Sequence, residues 1–117
     1  MVVCCKLSNH YLQINIRPNE THARGVFVPQ EYERFRLFVS NKSHNKVLMW
    51  KIWKPPTRSG FGTIGEGYVD PQKSYLEDFY PPVDPTFRSY IFVLELICYP
   101  AQNEEPVEGC TGYATIS

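Results

Sequence analysis

The chain has 117 residues, with twelve Lys and Arg against twelve Asp and Glu, and 43% apolar and 15% aromatic side chains. That length holds one hydrophobic core, so residues 1–117 are expected to form a single domain. Zero formal charge excludes the basic footprint of a nucleic-acid binder, and the longest apolar run, Ile91 to Leu94, is far too short for membrane insertion.

The zero is the sum of two unlike halves. Residues 1–58 carry ten basic and three acidic side chains, a net +7, whereas residues 59–117 carry two and nine, a net −7.

Along the chain, Leu12, Ile14 and Ile16 alternate with Gln13, Asn15 and Arg17, which predicts a strand with one wet face, stopped by Pro18-Asn19. A short β-branched and aromatic run follows from Gly25 to Val28. Arg34 to Ser40 alternates again, with Phe35, Leu37 and Val39 on one face and Arg34, Arg36 and Phe38 on the other. The polar stretch Asn41 to Asn45 reads as a hairpin turn into Lys46 to Lys54, where Leu48, Trp50 and Ile52 share a face opposite Met49, Lys51 and Trp53. These two strands are expected to form a long antiparallel pair, ended by Pro55-Pro56.

Residues 57–67 contain four glycines and read as a loop that could include a short strand, closed by the turn signal Tyr68-Val-Asp-Pro71. Lys73 to Tyr80 is a strand between that turn and Pro81-Pro82. Ser89 to Tyr99 is the most apolar strand, with Phe92, Leu94, Leu96 and Cys98 on one face and both faces mostly buried. An acidic loop from Ala101 to Glu108 leads to an edge strand at Tyr113 to Ile116. About seven short strands, ten prolines and no helical periodicity predict an all-β, two-sheet antiparallel sandwich.

The four cysteines are Cys4, Cys5, Cys98 and Cys110, and adjacent Cys4-Cys5 is neither a redox pair nor a metal-ligand spacing, which argues against a zinc site. Residues 1–8 contain no apolar stretch of signal-peptide length, so a cytoplasmic location with unpaired thiols is the expectation. In a secreted chain, Cys98 and Cys110 would be able to bridge. Two glycosylation triplets occur, Asn19-Glu-Thr21 and Asn41-Lys-Ser43, and carry meaning only in the secretory pathway.

Catalytic signals are weak. His10, His22 and His44 fall in turns or at strand starts, where solvated histidines are ordinary. Gly60-Phe-Gly-Thr-Ile-Gly65 matches G-x-G-x-x-G without a preceding buried parallel strand or a following helix, and reads as a turn. Pro81-Pro82-Val-Asp-Pro85 reads as a connection between strands. Neither enzyme activity nor a cofactor nor a metal is expected.

The order of features in the middle of the chain resembles the major sperm protein (MSP) domain family over roughly residues 10–100. Leu37-Phe-Val-Ser-Asn41-Lys-Ser43, Trp50-Lys51-Ile52 and Gly67-Tyr-Val-Asp-Pro71 are similar to that family's strand-turn, second-strand and glycine-to-proline elements, and Ile14-Asn-Ile-Arg-Pro18 to its opening. The resemblance implies a seven-stranded immunoglobulin-like sandwich and a non-enzymatic, cytoplasmic protein of a nematode-sperm-type motility cytoskeleton, whose partner is itself or another MSP-family protein.

Its other branch implies a VAP-like adaptor that binds an acidic FFAT-like peptide. The groove-strand lysines of that branch survive here only at Lys51, with Lys46 and Lys54 nearby as a basic cluster. Lys46, Met49, Lys51, Trp53 and Lys54 are therefore the candidate protein- or peptide-binding residues. A secreted immunoglobulin-like recognition domain is the third reading, which a Cys98 to Cys110 bridge and a glycan at Asn19 or Asn41 would support. In such a sandwich the Lys46 to Lys54 strand should lie beside the strand carrying Glu95, and Arg34 to Ser40 beside the one carrying Glu77 and Asp78, which would interleave the two charged halves.

Overall fold

The computed structural model describes residues 12–28, 34–54, 63–80, 91–99 and 110–117. These form eight strands and, among the described residues, no helix: β1 (Leu12–Ile16), β2 (His22–Phe27), β3 (Phe35–Asn41), β4 (Val47–Trp53), β5 (Thr63–Val69), β6 (Ser74–Phe79), β7 (Phe92–Tyr99) and β8 (Gly112–Ile116). All pairings are antiparallel, in two four-stranded sheets ordered β1-β8-β3-β6 and β2-β7-β4-β5.

The all-β, two-sheet expectation holds. Apolar side chains of the two facing surfaces fill the space between the sheets, with Ile14, Ile16, Phe35, Leu37, Val39, Ala114 and Ile116 from the first sheet and Phe27, Leu48, Trp50, Ile52, Leu94 and Leu96 from the second. At one end the rings of Phe27, Phe35, Phe79 and Phe92 pack together, with Phe35 stacked on Phe79 at 5.3 Å.

The strand order departs from the immunoglobulin one. In that fold the last two strands are neighbours in one sheet, whereas here β7 and β8 lie in different sheets and β8 sits between β1 and β3. The pairs β1-β8, β2-β7, β3-β6 and β4-β5 are those of a long hairpin rolled on itself, the jelly-roll arrangement of eight strands. Two local expectations are corrected with it and one is enlarged. The strand at the C-terminal end is internal to its sheet rather than an edge; the glycine-rich 57–67 segment contributes most of β5; and β3 and β4 are not a hairpin but belong to opposite sheets. Alternation places Leu37 and Leu48 on core-facing surfaces in either arrangement, so the pattern is the same whether the strands pair side by side or face each other.

Asn41 accounts for the crossing. It is buried at the end of β3, where its side-chain amide donates to Lys46 O (2.8 Å) and Val69 O (2.9 Å) while its Oδ1 accepts from Ser43 N (3.0 Å). Those contacts carry residues 42–46 over to the other sheet. Ser43 Oγ accepts from Thr111 N (2.9 Å), and Lys42 N donates to Thr111 O (2.7 Å), so the approach to β8 is tied to the same corner. Gln72, at φ 65°, donates from Nε2 to Lys42 O and Ser43 O, each at 2.9 Å, which offsets the cost of a left-handed non-glycine residue.

Glycine in β5 serves close approach. A Cβ on Gly67 would lie 2.8 Å from Trp50 Nε1, and one on Gly65 would lie 2.9 Å from the ring of Phe79. Trp50 occupies that space and also stacks on Tyr75 at 5.6 Å. Gly67→Ala should therefore destabilise the fold by about 1–3 kcal/mol, the usual cost of overpacking, read as a lower urea midpoint at unchanged slope.

Candidate protein-binding surfaces

Each sheet has an outer face, and the two differ. On the second sheet, Arg24, Glu95, Lys51 and Glu66 are successive cross-strand partners over β2, β7, β4 and β5, so charge alternates across all four strands. Glu95 is completely buried and accepts from Arg24 Nη2 at 2.9 Å; Lys51 Nζ lies 3.7 Å from Glu66 Oε1. The Arg24 guanidinium also lies 5.9 Å from the centroid of the Trp53 ring, within cation–π range.

Flanking positions on the two central strands of this outer face are buried too. Met49 and Trp53 are each 8% exposed and Val93 is 4% exposed, although all three point away from the core between the sheets. β7 is thus buried on both faces over most of its length, as expected for the Ser89 to Tyr99 strand, whereas Val26 on β2 and Tyr68 on β5, on the same outer face, are 61% and 63% exposed. Trp53 Nε1 has no hydrogen-bond partner among the described residues.

This geometry places the candidate residues as follows. Met49, Lys51 and Trp53 do share the outer face, but two are buried and the third is ion-paired. Lys46 is buried at the Asn41 corner, on the other parity of the strand, and Lys54 is half-buried beyond the far end of β4. Lys46, Lys51 and Lys54 do not form one basic patch.

The outer face of the first sheet is open. Thr115, Phe38 and Leu76 form one cross-strand row over β8, β3 and β6, and Tyr113, Ser40 and Ser74 form the next. Leu76 is 56% exposed, and the half-buried rings of Phe38 and Tyr113 lie 6.0 Å apart, giving a small apolar strip. Polar Gln13 and Asn15 border it on β1, and Asp78 borders it on β6, bound by Arg36 Nε and Arg34 Nη1 at 2.8 Å each. An apolar centre with a polar rim is the usual anatomy of a protein contact. No single segment's pattern reveals this strip, because its apolar members come from three strands that only the sheet order brings together.

Other sequence features settle into structural roles or lie elsewhere. Gly65 packs in β5, while Gly60, Gly62, the Pro81 to Pro85 segment, His10, Cys4 and Cys5 lie outside the described residues. His22 and His44 are exposed, and among the described residues no three His, Cys, Asp or Glu side chains are grouped to hold a metal. No family model matches the chain, and no curated protein matches it in sequence.

The ion pairs behave differently under perturbation. The hydrogen bond from Arg36 is the main influence holding the Asp78 carboxyl below its ordinary value of 3.8, assisted by the charges of Arg36 and Arg34. A carboxylate depressed in the folded chain contributes stability that is present above the unfolded pKa and lost as pH falls through the lower, folded one. The Asp78 midpoint in a carboxyl NMR titration should lie below 3.8 and rise toward it in Arg36→Gln. Arg24→Ala removes a partner from a fully buried carboxylate and should cost about 1–3 kcal/mol. Arg34→Ala, at an exposed pair, should stay within about 1 kcal/mol in the same denaturation experiment.

Proposed function

We propose that this chain is a non-enzymatic recognition domain of an oxidising compartment, a secreted or cell-surface β-sandwich that works through protein contacts. The observation that carries the reading is the Cys98–Cys110 disulfide, with Cα atoms 5.5 Å apart, which corrects the expectation of unpaired thiols. Cys98 lies in β7 of the second sheet and Cys110 stands two residues before β8 of the first, so the bridge fastens one sheet to the other. Structural disulfides of this kind persist outside the reducing cytosol. The open strip of Phe38, Leu76 and Tyr113 offers a contact surface.

The MSP-type cytoskeletal reading is the alternative. In its favour, two of the elements that resemble that family meet in space: Asn41, from the Leu37 to Ser43 element, bonds Val69 O, from the Gly67 to Pro71 element. Against it stand the position of β8 between β1 and β3 and the bridge. An adaptor that binds an acidic peptide through Lys46, Lys51 and Lys54 has less support, because Lys51 already faces Glu66 and Glu95.

Counting thiols separates the first two readings. In denatured, unreduced protein from its native source, two reactive thiols are expected, those of Cys4 and Cys5. Four would overturn the oxidising-compartment reading, and filament formation at high concentration would favour the cytoskeletal one. Cys98→Ser should lower unfolding stability by about 3 kcal/mol, the expectation for a loop of this size.

A further inference from the structure

The structure treats the two glycosylation triplets in opposite ways. Asn41-Lys-Ser43 is consumed by the fold. Asn41 is 1% exposed, its amide nitrogen donates to Lys46 O and Val69 O, and Ser43 Oγ is engaged with the backbone of Thr111. An N-linked sugar replaces one hydrogen of that nitrogen and needs open space beside it, and neither condition is met.

Asn19-Glu-Thr21 is presented instead. Pro18 and Asn19 occupy the centre of a tight turn in which Glu20 N donates to Arg17 O (2.9 Å), and the Glu20 carboxylate returns to Arg17 N (3.0 Å). Asn19 and Thr21 are both exposed, and among the described residues the Thr21 hydroxyl has its hydrogen-bond contact with the neighbouring His22 Nδ1, at 3.2 Å. Thr21 O accepts from Cys98 N (2.8 Å), which anchors the triplet beside the disulfide. An exposed acceptor triplet and a bridge characteristic of the same compartment are independent observations with one implication.

We infer that Asn19 is the N-glycan acceptor of this chain and that Asn41 is not. The donor is a lipid-linked oligosaccharyl diphosphate. The Asn19 Nδ2 attacks the anomeric carbon, the N–C bond forms as the C–O bond to the diphosphate breaks, and the amide loses one proton while the lipid diphosphate departs. A sugar there rises from the end of the sandwich that holds the 17–21, 42–46 and 70–73 turns, and leaves the Phe38–Leu76 strip uncovered.

This inference rests on the oxidising-compartment reading, and its test is arranged to fail separately. The full chain is translated with endoplasmic-reticulum microsomes behind a cleavable secretion leader, and the glycan is read by amidase-reversible gel shift and by mass-spectrometric site mapping. One glycan, mapped to position 19, is expected; it should vanish in Asn19→Gln and in Thr21→Ala and persist in Thr21→Ser. Asn41→Gln should leave the count at one, a denaturing readout that is independent of whether the variant folds. An unmodified wild-type chain, or a glycan mapped to Asn41 in disulfide-bonded protein, would overturn the inference. Four free thiols in native-source protein would instead remove the compartment reading and leave the result at position 19 standing as acceptor chemistry.

Discussion

The fold depends on one buried amide. Asn41 ends β3 in the first sheet, yet its side chain bonds the carbonyl before β4 and the last carbonyl of β5, both in the second. A polar side chain buried without partners would cost several kcal/mol; with three side-chain hydrogen bonds satisfied, it fixes where the chain leaves one sheet for the other. Its neighbours extend the effect. Asn41 N donates to Lys73 O, Lys42 N to Thr111 O, and Gln72 clasps the 42–43 backbone, so three connections are locked against each other at one end. The Cys98–Cys110 bridge closes the same end covalently.

Charge follows from the same strand order. Among the described ion pairs, every basic partner comes from residues 1–58 and every acidic one from residues 59–117: Arg24 with Glu95, Arg34 and Arg36 with Asp78, Lys51 with Glu66. Two halves of net +7 and −7 become interleaved because β2 and β4 flank β7 and because β3 lies beside β6. Most of these pairs are exposed and each contributes little to stability. Their larger effect is that, among the described residues, opposite charges lie side by side across each sheet.

Period-two alternation made the facing of β1, β3, β4 and β7 legible, and the neighbours of Lys51 and Asp78 followed from the sandwich expectation. Alternation says which face a residue takes and nothing about which strand lies beside it. That is why β3 and β4 read as a hairpin, and why a strand ending in Ile116 read as an edge. β5 was obscured for a different reason: Gly65 and Gly67 lower strand propensity, but they are needed to admit Trp50 and Phe79, a contact made by residues distant in sequence. Met49 and Trp53 show the limit for sites, since outward parity suggests exposure while tertiary packing buries both. Residues 1–8, on which the expectation of unpaired thiols rests, say nothing of where β7 and the approach to β8 meet, and it is that meeting which brings Cys98 and Cys110 together.

The motif resemblance has a physical explanation that does not require a shared fold. An asparagine at a strand end, a hydroxyl two residues later, and a glycine followed by a turn are what any two-sheet protein needs where a chain crosses between sheets. Asn41, Ser43 and Gly67 meet that need here in a jelly-roll order, so such elements report a corner more directly than an ancestry. Function is then better sought where corner chemistry is absent. On the outer faces, Met49, Trp53 and Val93 are buried on the two central strands of the second sheet, while Phe38, Leu76 and Tyr113 on the first sheet and Val26 and Tyr68 on the flanking strands of the second stand at the surface. Apolar side chains kept in water oppose solubility and contribute little to folding, which makes contact with a partner the simplest account of their placement.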